Sequence, residues 1–215
     1  MGTLIRAQAL SSDCMISGTQ QDNPEAHHPQ NFQVHHSSRW RQPRHDICKF
    51  NTDAAWKKDR DMNSIAGIAR DSIGRVFTGY ARQTTAPTPL IAEALAMILA
   101  CSLHWKKVVF ESDSLKVIQA CGKEKDYGEI WTVIQDIQLL RRSFDHCGFT
   151  WTHRSGNEAA HQVAALFQRG LLPTNWIHFP PTPLWKVLRL DSSPAQAADY
   201  KWHPLAHEPF PVSLV

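Results

Sequence analysis

Residues 47–83 read ICKFNTDAAWKKDRDMNSIAGIARDSIGRVFTGYARQ, and this stretch decides the fold. Ile47–Trp56, Ser64–Asp71 and Arg75–Gln83 are runs of β-branched, aromatic and small residues that predict three strands. Ser72-Ile73-Gly74 supplies a tight reversal between the second and third, so the strands run antiparallel in sequence order. Asp53 falls inside the first strand, where strand propensity and burial both disfavour a carboxylate. A solvated Asp at a strand end or bulge is the ordinary explanation, and a functional acid is the other.

Working outward, the pattern changes period. Thr88 stands as an N-cap with Pro89 at the first helical position, opening a helix that runs to about Leu103. Lys107–Glu111 (KVVFE) reads as a short buried strand and Ser114–Ala120 as a short helix closed by Gly122. Ile130, Val133, Ile134, Ile137 and Leu140 keep the i, i+3, i+4, i+7 spacing of an amphipathic helix. Phe149–His153 reads as a last strand, and Ser155-x-x-Glu158 as a capping box before a helix whose Ala160, Val163, Ala164 and Phe167 face inward. The order β-β-β-α-β-α-α-β-α predicts an α/β domain over residues 46–170, a mixed five-stranded sheet with helices on both faces. Ligands in such sheets collect where the carboxyl ends of parallel strands meet a switch in strand order.

The flanks read differently. Residues 1–45 are polar and His-rich (His27, His28, His35, His36, His45) and predict a disordered arm. Residues 171–215 hold 8 of the 13 prolines, interleaved with Trp176, Phe179, Trp185, Leu188 and Trp202. This stretch shows no helical or strand period, yet it is too aromatic to be left in water, so it is expected to wrap onto the domain.

Composition narrows the class. The 215 residues carry 23 Lys+Arg against 20 Asp+Glu, a formal charge of +3, which permits a polyanionic partner without demanding one. Leu90–Leu103 is the most apolar stretch, yet it contains Glu93 and falls short of the ~20 apolar residues that span a bilayer, so no membrane partner is expected. No targeting signal is readable near Met1. The five cysteines, Cys14, Cys48, Cys101, Cys121 and Cys147, are odd in number and show no C-x-x-C spacing. They fit a reducing, intracellular compartment with no disulfide-linked partner.

Three acids stand out. Besides Asp53, Glu93 is the one charged residue of Leu90–Cys101, a helix apolar nearly all round, which directs its carboxylate into the protein. Asp113 follows Val108-Val109-Phe110 at the carboxyl end of a core strand, where it is either a site residue or a cap on the next helix. Glu111 is a rival ligand or a surface residue. Carboxylates gathered in a partly dry site repel and take up protons unless a divalent cation compensates them, and hard oxygen ligands without cysteine select Mg²⁺ or Mn²⁺. Two such ions about 3.5–4 Å apart serve in-line hydrolysis of a phosphodiester.

Lys49-Phe-Asn-Thr-Asp53-Ala-Ala-Trp56, Ala92-Glu93-Ala-Leu, Glu111-Ser-Asp113-Ser114 and Arg154-Ser-Gly-Asn157-Glu-Ala-Ala-His161 resemble, in order and setting, a type 1 ribonuclease H domain over about residues 47–169. The match is closest to the reverse-transcriptase-like domains of plants, many of them related to retroelements. The resemblance implies a ribonuclease H-like fold and an endonuclease that cuts the RNA strand of RNA–DNA hybrids with two metal ions. It implies that Asp53 bridges both metals, that Glu93 helps position the water, that Asp113 ligates one metal and that Asn157 contacts nucleic acid. A monomer is expected.

The sequence departs from that pattern in three places. The fourth acidic ligand falls on His161, and imidazole suits Mn²⁺ or Zn²⁺ better than Mg²⁺. His161 therefore joins Asp53, Glu93 and Asp113 as a candidate catalytic residue, either as a ligand or as a neighbour with no metal bond. The loop before the last helix is short, His153-Arg154-Ser155-Gly156, with His153 as a proton shuttle or product-release group and Arg154 as a nucleic-acid contact. No basic protrusion is evident, because Lys123, Lys125, Arg141 and Arg142 are scattered among acids. Trp56, Trp105, Trp131 and Trp151 are either a stacking platform or core. Three functions stay open: a metal-dependent hybrid nuclease of reduced activity, a catalytically weak or inactive nucleic-acid-binding or interaction module derived from a retroelement, or a metal nuclease of the same fold acting on single strands.

Overall fold

The computed structural model describes residues 39–103, 106–122 and 127–192. Strands β1 (Cys48–Ala55), β2 (Asn63–Arg70) and β3 (Val76–Thr84) form the expected antiparallel meander. Gly74, with φ of +82°, sits in the reversal between β2 and β3 in the left-handed region that glycine enters without steric cost. Asp71 closes the same turn, its Oδ1 accepting from the amides of Ile73 and Arg75.

Helix α1 (Pro89–Cys101) begins as its sequence dictates, with Thr88 Oγ1 accepting from the Ile91 amide at 3.2 Å. Strand β4 (Lys107–Ser112), helix α2 (Leu115–Cys121), helix α3 (Trp131–Arg141), strand β5 (His146–Trp151) and helix α4 (Glu158–Gln168) follow. The sheet order is β3-β2-β1-β4-β5, with β4 parallel to β1 and β5 parallel to β4. The sheet is thus mixed and five-stranded, and its parallel half begins where β1 meets β4. The carboxyl ends of those two strands form the switch point at which α/β sheets place their ligands.

Alternation along the strands sorts side chains to the two faces. Phe50 and Phe110 enter the larger core with Met97 of α1, Ile118 of α2 and Ile134 and Ile137 of α3. On the other face Ala66 and Ile68 pack with Val163 and Ala164 of α4. Lys49, Asn51 and Asp53 are the β1 residues out of phase with Phe50, and all three are buried.

Several expectations need correction. Strand β5 runs His146–Trp151 instead of Phe149–His153, because its parallel register with β4 pairs Lys107 with His146, and backbone pairing overrides the weak strand propensity of Cys147-Gly148. The capping box at Ser155 does not form. Ser155 lies in a short 3₁₀ turn (Arg154–Gly156) with its hydroxyl 2.8 Å from His153 Nδ1, and Asn157 holds the N-cap position with its side chain engaged elsewhere. Asp113 does not cap α2 either; Ser114 is the N-cap residue.

The segment after residue 170 contains a helix that its proline content hid, α5 (Thr182–Asp191), with Pro183 in its first turn, where proline is tolerated. Leu184 and Leu188 of α5 and Trp176 before it are buried with α4. Trp176 lies so close to β3 that a Cβ at Gly79 would stand 2.5 Å from its ring, which explains glycine at that strand position. At the amino end Trp40, inside the stretch expected to be a disordered arm, is 4% exposed. Its indole stacks on the Arg70 guanidinium at 3.7 Å and donates to Asn51 Oδ1 at 3.0 Å. The rest of that arm through residue 38, Trp105, Lys123, Lys125 and residues 193–215 lie outside the described residues. No helix of the described residues is long and apolar enough to cross a membrane.

Candidate metal centre

Three elements deliver three carboxylates to one place. Asp53 comes from β1, Glu93 from the first turns of α1 and Asp113 from the residue after β4, and one carboxylate oxygen of each lies within 4.8 Å of the others. Asp53 is fully buried, yet its Oδ1 has no hydrogen-bond partner. Glu93 accepts the Ala54 amide at 3.2 Å through Oε1, while its buried Oε2 also lacks a partner. Two orphaned carboxylate oxygens in one buried cluster are costly in protein alone, and they are what a hard cation satisfies. The donor set fits Mg²⁺ or Mn²⁺.

The electrostatics agree with that fit. Burial pushes the Asp53 carboxyl above its ordinary range, against the lowering effect of its hydrogen bond with His161, and Asp113 pushes it further up. Burial holds Glu93 well above the usual range too, reinforced by the charges of Asp53 and Asp113. Both acids therefore ask for positive charge nearby.

Part of it comes from the chain itself. Arg154 donates from Nη1 to Asp113 Oδ2 at 3.0 Å, and its Nη2 stands 2.9 Å from His161 Nδ1. That same ring nitrogen is 3.0 Å from Asp53 Oδ2. One ring nitrogen serves a single proton, so the two contacts compete. The hydrogen bond with Asp53 raises the His161 pKa, outweighing the effect of its partial burial. His161 is thus brought to the cluster, tied to Asp53.

Asn157 takes a different place from the one expected. It is fully buried, and its amide group is engaged within the protein: Nδ2 donates to the Thr52 carbonyl at 2.8 Å and to Asp113 Oδ1 at 3.2 Å, and Oδ1 accepts from Asn51 at 3.1 Å. It braces Asp113 and faces no solvent. His153 is exposed at the rim, held by Ser155, and Arg154 is exposed beside it. Glu111 is no rival ligand, since Lys49 pairs with it at 2.7 Å and Asn51 donates to it at 3.0 Å. Of the tryptophans, Trp56 donates to the Ala86 carbonyl and Trp151 to the Asp113 carbonyl, so both are tied into the fold.

Sequence reasoning missed Asn51, which joins Glu111, Asn157 and Arg70. The signal was present: Lys49, Asn51 and Asp53 recur at the strand period, and three polar residues on one strand face adjoining a functional acid mark a buried polar network.

Comparison with known proteins agrees with this architecture. A search of curated proteins found no match. The structure resembles ribonuclease H1 of Halobacterium salinarum with a TM-score of 0.52 at 17% identity, over 56% of this chain and 96% of that one. It resembles the N-terminal ribonuclease H domain of a Mycobacterium tuberculosis protein with a TM-score of 0.52 at 14% identity, over 58% of this chain and 95% of that one. A third neighbour, LC11-RNase H1, isolated from compost and crystallised with an RNA/DNA hybrid, gives 0.51 at 14% identity, over 59% and 99%. At these identities the likeness speaks for the fold. The model of the reverse transcriptase-like family matches residues 51–166, a span that includes every carboxylate of the cluster and both Asn157 and His161. The chain therefore belongs to the reverse transcriptase-like family and has a ribonuclease H-like fold.

Proposed function

We propose that the chain is a divalent-metal-dependent endonuclease that hydrolyses the RNA strand of RNA–DNA hybrids. The observation that carries this reading is the convergence of Asp53, Glu93 and Asp113, with two buried carboxylate oxygens left for a cation. Family membership and a neighbour crystallised with an RNA/DNA hybrid support it.

Asp53, Glu93 and Asp113 would hold Mg²⁺ or Mn²⁺, with His161 at the fourth position. Two such ions, when bound, would supply Lewis acidity and an activated water for in-line attack on a phosphodiester. The remaining work belongs to the chain. Glu93, anchored by the Ala54 amide, presents a carboxylate able to orient a water. Asn157 fixes the Asp113 side chain, so this acid keeps its geometry while a large anionic substrate arrives. Arg154 and His153, exposed at the mouth, supply a guanidinium and an imidazole to phosphate oxygens. Selectivity for the RNA strand would come from contacts to 2′-hydroxyls across the minor groove.

On this reading the protein acts as a monomer in a reducing, intracellular setting, with a retroelement-related plant ancestry. The free thiols of Cys48, Cys101, Cys121 and Cys147 are in keeping with that setting.

A second reading, an inactive binding module, is favoured by one contact: Arg154 already neutralises Asp113. Incubation of the chain with a labelled hybrid in Mg²⁺ and in Mn²⁺ decides between the two. Cleavage abolished by Asp53→Asn supports the nuclease; hybrid bound without metal-dependent cutting supports the module.

A further inference from the structure

Both ends of one buried carboxamide on β1 are hydrogen-bonded, and its partners lead to the metal centre. Asn51 lies two residues before Asp53 on the same face of the strand and is fully buried. Its Oδ1 accepts from the Trp40 indole at 3.0 Å and from Arg70 Nη2 at 3.1 Å. Its Nδ2 donates at 3.0 Å to Oε2 of Glu111, its partner in register on β4, and at 3.1 Å to Asn157 Oδ1. Asn157, fully buried as well, donates in turn to Asp113 Oδ1 at 3.2 Å.

The polarity of this series of hydrogen bonds is fixed at its far end. An indole N–H and a guanidinium are donors only, so the end of the Asn51 carboxamide that meets Trp40 and Arg70 must be its oxygen. Its amino group then faces the Asn157 oxygen and Glu111, whose other oxygen is held by Lys49 at 2.7 Å. Asn157 is thereby obliged to turn its own amino group to the Thr52 carbonyl and to Asp113. A carboxamide in the opposite sense would set oxygen against oxygen and leave buried polar groups unpaired. Donors thus run in one direction from Arg70 through Asn51 and Asn157 to Asp113.

We infer that Asn51 is a positioning residue for the metal centre: Arg70 and Trp40 set the sense of its carboxamide, and it sets the sense of Asn157, so that Asp113 meets a donor instead of an oxygen. The inference rests on the reading of Asp53, Glu93 and Asp113 as cation ligands, and it does not need the chain to cut nucleic acid. Groups that orient a metal ligand govern roughly 10–100-fold in affinity for the metal. The far end of the relay is held by Trp40 and by Asp191 of α5, which pairs with Arg70 at 2.6 Å, and both lie outside the family-matched residues 51–166. The flanks of the chain are therefore tied, side chain by side chain, to a carboxylate of the site.

The test is calorimetric binding of Mn²⁺ to the full chain, with Mg²⁺ for NMR, in the wild type and in Asn51→Asp, Asn51→Ser and Trp40→Phe. Asn51→Asp keeps the size of the side chain and the acceptor for Arg70 but loses the donor, so Asn157 turns over and presents its oxygen to Asp113. It should bind Mn²⁺ about tenfold more weakly, although an added negative charge near a cation site would by itself tighten binding. Asn51→Ser, the milder change, should weaken binding about threefold, whereas Trp40→Phe, which keeps a ring over Arg70 and leaves the Arg70 donor in place, should stay within about twofold. In the wild type Mg²⁺ should shift the Trp40 indole N–H signal, and Asn51→Ser should lose that shift. Affinity equal to or above that of the wild type in a folded Asn51→Asp, wild-type affinity in Asn51→Ser, or an equal loss in Trp40→Phe would overturn the positioning role. A wild type that binds no Mn²⁺ would remove the metal centre and this role together, whereas a wild type that binds it as expected and cuts no hybrid would remove the nuclease reading alone.

Discussion

Arg154 and Asp113 face each other across 3.0 Å, with the Arg154 side chain 57% exposed and the Asp113 side chain 13% exposed. A mobile-ended cation thus sits on a carboxylate that a divalent ion would claim. Removing it should leave the acids more hungry for metal. Arg154→Ala is expected to tighten Mn²⁺ binding about threefold in calorimetry, a modest effect because solvent screens the exposed pair. The same variant should weaken hybrid binding, so the two affinities move in opposite directions.

Glu93 gives a stability test. Its folded pKa is raised by burial, so the folded chain holds a proton that the unfolded chain releases. Stability of the metal-free protein therefore falls as pH rises above the ordinary glutamate range. Glu93→Gln should raise the stability of the metal-free chain at neutral pH by about 1–2 kcal/mol and lose that advantage near pH 4. Urea midpoints across this pH range check the sign. Mn²⁺ should stabilise the wild type and leave Glu93→Gln nearly unmoved.

Metal binding itself should depend on pH in the opposite sense to protonation. Asp53 and Glu93 both have raised pKa values, and a cation must displace their protons. Affinity for Mn²⁺ should rise with pH through the range in which these acids ionise. Calorimetry in two buffers of different ionisation enthalpy should record proton release.

His161→Asp would place a fourth carboxylate beside Asp53, 3.0 Å from which the imidazole now sits. Oxygen donors suit Mg²⁺ better than imidazole does, so hybrid cleavage supported by Mg²⁺ should increase relative to that supported by Mn²⁺. A side-by-side assay in the two metals reads the ratio.

Arg70 is fully buried, pairs with Asp191 of α5 at 2.6 Å and donates to Asn51 at 3.1 Å. Desolvation raises the Asp191 pKa despite that partner. Asp191→Asn should cost about 3 kcal/mol, because it removes the carboxylate that balances a buried guanidinium, whereas replacing both residues with Met and Leu should recover much of the loss. Chemical denaturation of the two variants distinguishes these outcomes.

How legible was this in the sequence? Local chemistry carried most of the fold: Thr88-Pro89 announced α1, and the meander followed from three patterned runs around Gly74. Asp53 and Glu93 were legible because each is a carboxylate where the pattern demands an apolar residue. What escaped depends on partners distant in the chain. Helix α5 carries the helical spacing of Leu184, Val187 and Leu188, but the prolines around it hide that spacing until Leu184 and Leu188 are seen against α4. Asn157 is expected from the resemblance to contact nucleic acid, whereas in the fold it is buried and meets the side chain of Asn51, 106 positions away. Trp40 reads as part of a polar tail until Arg70 supplies the ring's partner.

The clamp around Arg70 bears on how the protein can be shortened. Trp40 and Asp191, which sandwich and neutralise that guanidinium, both lie outside residues 51–166. Excising the family-matched core alone would remove the counter-charge of a buried cation and unroof one face of the sheet. The smallest autonomous unit of this chain is accordingly expected to be wider than its recognisable signature, reaching from Trp40 to the end of α5.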